Sequence, residues 1–239
     1  MKRKCYGFAV MIFVICMMII AIDLLSFNRR MYETFYKRDQ TAQKIGITET
    51  ELEDVTVQLL NYLKDREPSL SQTVVINGET VPMFNEREQE HMKDVKVLYQ
   101  KAMLFRNLGM IFVAMMIVVS LGSGDYLDLV LNRDVLGSSL MILLMILGTI
   151  GMIAILDFDT FWLTFHNIVF SNDLWLLNPR VDRLILLVPE PFFMGLVYQI
   201  LAATAALFAL MGGAYFGLDW KVKYDSRRAL RTGDSSEHR

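Results

Sequence analysis

The chain has 239 residues, of which 54% are hydrophobic, and its formal net charge at pH 7 is −2. This near-neutral charge gives no support for a nucleic-acid partner. The only cysteines, Cys5 and Cys16, fall before and within the first apolar block, so no disulfide framework is expected in an outer domain.

Four apolar blocks approach the roughly 20 residues that cross a bilayer as a helix. They are Tyr6 to Leu25, Leu104 to Leu121, Leu140 to Leu156 and Phe192 to Leu218. Because lipid offers no water to backbone polar groups, each block is predicted to be a helix. The first block is longer than a typical signal-peptide core and lacks a small-residue cleavage site, so we interpret it as a retained anchor.

Basic residues near both ends of the chain predict the orientation. Three precede the first span and five follow the last: Lys2, Arg3, Lys4, Lys221, Lys223, Arg227, Arg228 and Arg231. The positive-inside rule therefore predicts that both termini are cytoplasmic. The predicted organisation is a cytoplasmic N-terminus and first span (1–27), an extracellular cap (28–102), spans two to four (103–218) with an inner loop (122–139) and an extracellular aromatic loop (157–191), and a cytoplasmic tail (219–239).

The first half of the predicted cap begins with aromatic residues. Phe27, Tyr32, Phe35 and Tyr36 have the pattern of an interfacial aromatic belt. An amphipathic helix is predicted next, from Glu49 to Glu67. Its start carries a capping-box signature, Thr48 followed by Glu51, and its end precedes Pro68.

The second half of the cap is predicted to be a hairpin followed by a long helix. Thr73 to Phe84 alternates around Asn77-Gly78, a strong turn signal because both residues tolerate positive φ. A helix then runs from Asn85 into the second span. It places His91 about 20 Å above the start of the span. We therefore expect the helix to bend near residues 103–107, or the cap to fold down.

Two of the three histidines, His91 and His166, flank spans on the same predicted side of the membrane. Neutral imidazole can accept or donate a proton near pH 7, which suits an enzyme that acts on a lipid. Glu88 and Asp94 lie three residues to either side of His91 on one helical face, where a carboxylate can fix its tautomer. The alternative is that His91 belongs to an ordinary solvated face. His238 lies in a polar tail that is predicted to be unstructured.

Metal binding is a competing use of the same histidines. Glu88-x-x-His91 has the carboxylate–histidine spacing of di-iron bundles, but those sites need the motif twice. Both histidines with Asp157, Asp159 or Asp173 would suffice for zinc with an open position. Neither H-E-x-x-H nor G-x-S-x-G occurs, so we expect no metal or other cofactor and no serine nucleophile.

The order and spacing of these segments resemble the bacterial lipoprotein intramolecular transacylase family. The matching motifs are Asn85-Glu86-Arg87-Glu88 with His91-Met92-Lys93-Asp94-Val95-Lys96, and Phe165-His166-Asn167-Ile168-Val169-Phe170 with Asn172, Trp175 and Asn178-Pro179. The resemblance extends over all four predicted spans and the cap. It implies an all-α membrane protein with four transmembrane helices and a small extracellular α+β cap between spans one and two.

The resemblance also implies an activity in the bacterial cell membrane. The substrate would be a lipoprotein whose N-terminal cysteine carries a thioether-linked diacylglyceryl group and a free α-amine. The enzyme would move the sn-2 acyl chain to that amine and give a lyso-form, N-acylated lipoprotein. The two histidines of the family correspond to His91 and His166. An amine that attacks an ester needs a base and an acid, and which histidine is which stays open.

The aromatic loop is expected to hold the substrate. Its side chains form either an interfacial girdle or a pocket that keeps the substrate compact and donates to the oxyanion. The candidates are Phe161, Trp162, Phe165, Phe170, Trp175, Asn167, Asn172 and Asn178. Membrane lipids are the other expected partners. The alternatives are a non-catalytic membrane sensor or docking protein with structural histidines and, third, a zinc-dependent membrane hydrolase.

Overall fold

A computed structural model describes residues 2–122 and 133–233 of the chain. Residues 123–132 of the predicted inner loop, and the end of the tail with His238, lie outside these ranges. The elements, in chain order, are α1 (Lys2–Ser26), α2 (Arg29–Asp39), α3 (Thr41–Ile45), α4 (Glu49–Leu63), β1 (Thr73–Ile76), β2 (Glu79–Pro82), α5 (Glu86–Gly122), α6 (Arg133–Leu156), α7 (Phe158–Val169), α8 (Leu184–Leu187) and α9 (Glu190–Gly233).

Four of these helices are long and apolar enough to cross a membrane. Their candidate spans are Cys5–Ser26, Glu86–Gly122, Asp134–Leu156 and Glu190–Gly217. The predicted all-α membrane fold with a small two-stranded cap element is therefore confirmed. Helix α6 begins seven residues before the predicted third span, and α9 continues well beyond the predicted end of the fourth.

Contacts divide the chain into two compact units. One comprises Met1–Met18, Leu108–Ile150 and Ala202–Arg239. In this unit α1 and α5 approach closely at Gly109, where an added Cβ would lie 2.6 Å from Cys16 Sγ. The absence of a side chain at Gly109 is therefore a packing requirement of this helix pair.

The second unit comprises Ile19–Asn107 and Gly151–Leu201 and contains both His91 and His166. Its core holds Tyr32, Phe35 and Tyr36, each no more than 7% exposed. The Tyr32 and Phe35 rings both pack on Phe192, with centroids 4.7 and 5.4 Å away. These aromatics form a buried core rather than the exposed interfacial belt that their sequence pattern suggested.

Local signals in the cap are realised as predicted. The Thr48 hydroxyl accepts the backbone N–H of Glu51 at 3.2 Å, and the Glu51 carboxylate accepts the N–H of Thr48 at 2.9 Å. The helix that they begin ends at Leu63, earlier than the predicted Glu67. In the hairpin turn, Asn77 and Gly78 have φ values of 54° and 84°, and Ile76 pairs with Glu79.

Helix α5 is one uninterrupted helix from a polar N-terminal half to an apolar half. No residue between 103 and 107 leaves the helix, so the expected bend is not marked by a break there. The apolar half begins at Leu104, where the second span is predicted to begin, and His91 lies in the polar half before it.

Candidate active site

The N-terminus of α5 is anchored by a reciprocal cap. The Asn85 side-chain oxygen accepts the N–H of Glu88 at 3.0 Å, and the Glu88 carboxylate accepts the N–H of Asn85 at 2.7 Å. The Asn85 amide also donates to Asp182 at 2.7 Å, across 97 positions of sequence. This cap therefore fixes the start of the His91 helix against the loop that leads to α9.

Two buried carboxylates hold that loop in place. Glu88 is 0% and Asp182 is 3% exposed. Glu88 accepts the backbone N–H of Leu184, and Asp182 accepts that of Asn178 at 2.6 Å. Burial, reinforced by the nearby Asp182 charge, raises the pKa of Glu88, and the backbone N–H groups oppose this shift.

The two histidines predicted from sequence lie side by side. The His91 and His166 ring centroids are 6.4 Å apart with an interplanar angle of 36°. Both side chains are almost fully buried, at 7% and 6% exposed. Burial lowers the pKa of His91 to about 4, helped by the neighbouring His166, and burial also lowers the pKa of His166. Both rings are therefore neutral at pH 7.

The tautomer of His166 follows from its hydrogen bond. Its Nδ1 lies 2.8 Å from the carbonyl oxygen of Trp162, one turn earlier in α7. Because a carbonyl only accepts, Nδ1 carries the proton and Nε2 of the neutral ring carries a lone pair. His166 is thus an oriented imidazole with an available basic nitrogen.

Aromatic rings enclose the His166 imidazole. The His166 ring centroid lies 4.4 Å from that of Trp162, 4.8 Å from that of Trp175, 5.3 Å from that of Phe165 and 5.6 Å from that of Phe170. Phe170 also packs 5.3 Å from His91 and so contacts both histidines. Four of the five aromatic residues predicted from sequence therefore meet at this pair.

His91 is held by packing rather than by a carboxylate. Its Nδ1 is buried and has no hydrogen-bond partner among the described residues. Glu88 makes its hydrogen bonds to backbone N–H groups, and Asp94 accepts the Asn172 amide at 2.8 Å. Asp94 acts on His91 only through its charge, which favours the protonated ring.

The segment 171–175 carries Trp175, which contacts His166, and is tied to α5 at two points. The Arg87 guanidinium donates to the backbone carbonyl of Asp173 and lies 3.7 Å from the Asp173 carboxylate. The Asn172 amide donates to the carboxylate of Asp94. The Trp175 indole N–H donates to the Asn172 carbonyl at 2.9 Å. These contacts seat the Trp175 ring on His166.

Three predicted substrate contacts are engaged elsewhere. Phe161 packs on Phe158 with centroids 5.7 Å apart. The Asn167 amide donates to the Leu163 carbonyl of its own helix, and the Asn178 oxygen accepts the N–H of Arg180 in a turn. None of these contacts joins the three residues to the histidine pair.

Two further residues, absent from the predicted set, help to build the site. Phe193 packs 4.6 Å from Trp162, and Asp182 carries the cap described above. Asp182 follows the Asn178-Pro179 turn by four residues, so a turn-stabilising role was readable. Its pairing with Asn85 was not readable, because no local pattern links two positions that lie 97 residues apart.

The described residues do not provide a complete set of ligands for a zinc ion. Among the residues that the structure describes, no group of three or more His, Cys, Asp or Glu side chains is placed to hold a metal ion. In this part of the chain the His91–His166 pair therefore has imidazole and aromatic neighbours rather than a third ligand.

Comparisons with known proteins agree on one family. A family model described as lipoprotein intramolecular transacylase Lit matches residues 7–193. The structure of the membrane integral transacylase Lit from Bacillus cereus is similar, with a TM-score of 0.71 and 20% identity over 93% of this chain and 96% of that one.

Two further structures of the Bacillus cereus protein also resemble this chain. Each carries one histidine replaced, by arginine or by alanine, with TM-scores of 0.65 and 0.67 and 17% identity. They cover 94% and 93% of this chain, and 93% and 94% of their own. At these identities the structural likeness concerns the fold. No match is found among curated proteins.

Proposed function

The chain belongs to the lipoprotein intramolecular transacylase family, and we propose that it moves the sn-2 acyl chain of a diacylglyceryl-cysteine lipoprotein to that cysteine's own α-amine. The amine nitrogen forms a bond to the ester carbonyl carbon, and the bond from that carbon to the glyceryl oxygen breaks. One proton leaves the nitrogen and one reaches the glyceryl oxygen. The product is a lyso-form, N-acylated lipoprotein of unchanged mass.

The observation that carries this proposal is the buried pair of neutral imidazoles, 6.4 Å apart. An intramolecular transfer needs no nucleophile from the enzyme, only a base for the amine and an acid for the departing alkoxide. Of two neutral histidines this close, one can serve as the base and, once protonated, as the acid, while the other donates a hydrogen bond to the developing negative charge. Each such proton transfer contributes roughly 10²–10⁴-fold in rate.

His166 is the group that we assign as the base. Its Nδ1–H donates to the Trp162 carbonyl, so Nε2 has a lone pair for the substrate's proton. The resulting imidazolium keeps the same hydrogen bond, which supports the positive charge. The lowered pKa keeps His166 unprotonated, and thus available as a base, at pH 7.

His91 then donates to the oxygen side of the reaction. With its pKa lowered to about 4, it is a neutral donor rather than an imidazolium. Its Nδ1 has no hydrogen-bond partner among the described residues and lies in the buried region next to His166. A donor already held in place stabilises developing negative charge without reorganising. His91 stays neutral throughout, and the proton that His166 removed from the amine passes from the His166 imidazolium to the departing glyceryl oxygen.

The aromatic side chains around the pair would hold the reacting groups of the substrate together. Trp162, Phe165, Phe170 and Trp175 line the imidazoles and exclude water. A compact conformer that brings the amine to the ester is rare in free lipid, and good orientation can supply roughly 7–11 kcal/mol of the barrier. We assign a structural role around the site, rather than substrate contact, to Phe161, Asn167 and Asn178.

The basic residues at the two ends of the chain suggest how it is oriented in the membrane. Lys2, Arg3 and Lys4 before the first span, with the basic residues after the last, favour cytoplasmic termini. The histidine pair then faces the extracellular side, where mature lipoproteins are anchored. Reporter fusions after Ser26 and after Gly233 would report opposite sides of the membrane if this is right.

Mass spectrometry of a lipoprotein's N-terminal peptide tests the reaction directly. The peptide is isolated from cells without endogenous activity that express the wild type, His91→Ala or His166→Ala. We expect fragments of a lyso-glyceryl, N-acyl cysteine at unchanged total mass with the wild type only. His238→Ala, which removes the third histidine in the tail, is the matched control and is expected to be active.

A diacylglyceryl cysteine with a free amine in every sample, at equal expression, would contradict the transacylase proposal. It would favour the non-catalytic alternative, in which the histidines are structural. Release of free fatty acid would instead indicate a hydrolase. Activity that survives both histidine substitutions would refute the assignment of the site while leaving the reaction in place.

A further inference from the structure

Among the residues that the structure describes, the carboxylate of Asp94, near His91, has only a neutral hydrogen-bond partner. It lies one helical turn after His91 on the same face of α5. One of its oxygens accepts the side-chain amide of Asn172, which is exposed, whereas Asp94 itself is half-buried. This contact with a neutral amide does not compensate the charge of Asp94.

The charges nearby do not neutralise Asp94. Two nearby cations on α5 are already paired, Arg87 with the carbonyl and carboxylate of Asp173 and Lys93 with Glu90 at 3.4 Å. With these two pairs counted, Asp94 leaves a net charge of −1 beside two neutral imidazoles. The local field therefore favours a positively charged group at the edge of the site.

Resting on the transacylase reaction proposed above, we infer that Asp94 binds the α-ammonium group of the substrate cysteine before that group releases one proton to solvent and becomes the free amine that attacks the ester. An α-amine has a pKa of about 7.7–8.0, so most of the substrate is cationic at neutral pH. An ammonium makes a charge-assisted hydrogen bond, which is about twice as strong as that of a neutral amide. It therefore displaces the Asn172 amide from Asp94.

This contact positions the amine and distinguishes substrate from product. Bound to Asp94, the nitrogen lies one helical turn from His91, whose ring centroid is 6.4 Å from that of the base His166. After transfer, the nitrogen is an uncharged amide that no longer pairs with the carboxylate. The Asn172 amide returns to Asp94, and the product leaves.

A competition assay with unreactive lipopeptides tests the inference apart from catalysis. Two cysteine lipopeptides with ether-linked chains are compared, one with a free α-amine and one N-acetylated. The purified full chain is expected to bind the free-amine lipopeptide about tenfold more tightly. Asp94→Asn is expected to reduce this preference to less than twofold.

The matched control is Asp65→Asn, the same change of charge and size. Asp65 pairs with Lys96 at 2.7 Å, and Lys96 lies two residues after Asp94, about 200° around the helix. This variant is expected to keep the wild-type preference. Asn suits position 65, where φ is 59°.

A second variant keeps the test decisive if Asp94→Asn does not fold. Asn172→Ala removes the competing amide and is expected to strengthen the preference for the free amine two- to threefold, roughly the effect of one neutral hydrogen bond. Wild-type preference in Asp94→Asn, or no gain in Asn172→Ala, would overturn the role of Asp94. Wild-type turnover of an ester-linked lipopeptide is measured separately, so failure of the transacylase reaction is distinguishable from failure of this inference.

Discussion

The buried carboxylate of Asp182 offers the sharpest test of how the site is held together. In Asp182→Asn the side chain keeps its size, but one of its two acceptors becomes an N–H donor. That donor faces either the Asn85 amide or the Asn178 N–H, now 2.7 and 2.6 Å from Asp182 oxygens. One buried donor is left without a partner, which costs about 1–3 kcal/mol.

Thermal unfolding in detergent measures this loss. For a chain of this size about 1 kcal/mol corresponds to 2–4 °C, so the expected fall in Tm is about 3–10 °C. Unfolding of such proteins is commonly irreversible, so all variants are compared at one scan rate. Activity should fall as well, because the loop that Asp182 anchors leads from Trp175 to α9. Asp65→Asn, at an exposed carboxylate that pairs with Lys96, is the control.

A Tm for Asp182→Asn within about 1 °C of Asp65→Asn, with wild-type activity, would refute this reasoning. It would mean that Asn85 and Asn178 find other partners when the carboxylate is removed. A loss of activity without a change in Tm would place Asp182 in catalysis rather than in the frame.

Three further predictions concern the effect of low pH, the Trp175 ring beside His166 and the packing of α1 against α5. Burial lowers the pKa of His91 to about 4 and also that of His166. As pH falls below about 6.5 the unfolded chain binds protons that the folded state excludes, so stability and activity should decline between pH 6.5 and 4. A pH–rate profile in which protonation of a histidine already lowers the activity above pH 7 would contradict this prediction. Trp175→Ala removes the ring 4.8 Å from His166 and should lower kcat about tenfold, with Trp175→Phe recovering part of it. Gly109→Ala forces a contact with Cys16 and should cost about 1–3 kcal/mol, measured as Tm; Cys16→Ala in the same chain should restore most of it.

Local sequence signals predicted local structure well in this protein. The capping box at Thr48, the Asn77-Gly78 turn and the four apolar blocks each depend on neighbours within a few positions. The aromatic run of α2 was misread because Tyr32 and Phe35 pack on Phe192, and no local pattern contains that contact. Periodicity predicts which face of a helix is apolar, but it does not predict whether protein or lipid covers that face.

Sequence alone determined that this is a four-span membrane protein and that His91 and His166 are its candidate catalytic groups. Apolar length and histidine position are properties of the chain itself. Only the tertiary structure decided that Glu88 binds backbone N–H groups and that Asp94 faces Asn172 instead of orienting His91. A carboxylate takes whichever donor the fold brings within hydrogen-bond distance, and the Leu184 N–H and the Asn172 amide both come from segments more than 70 positions away.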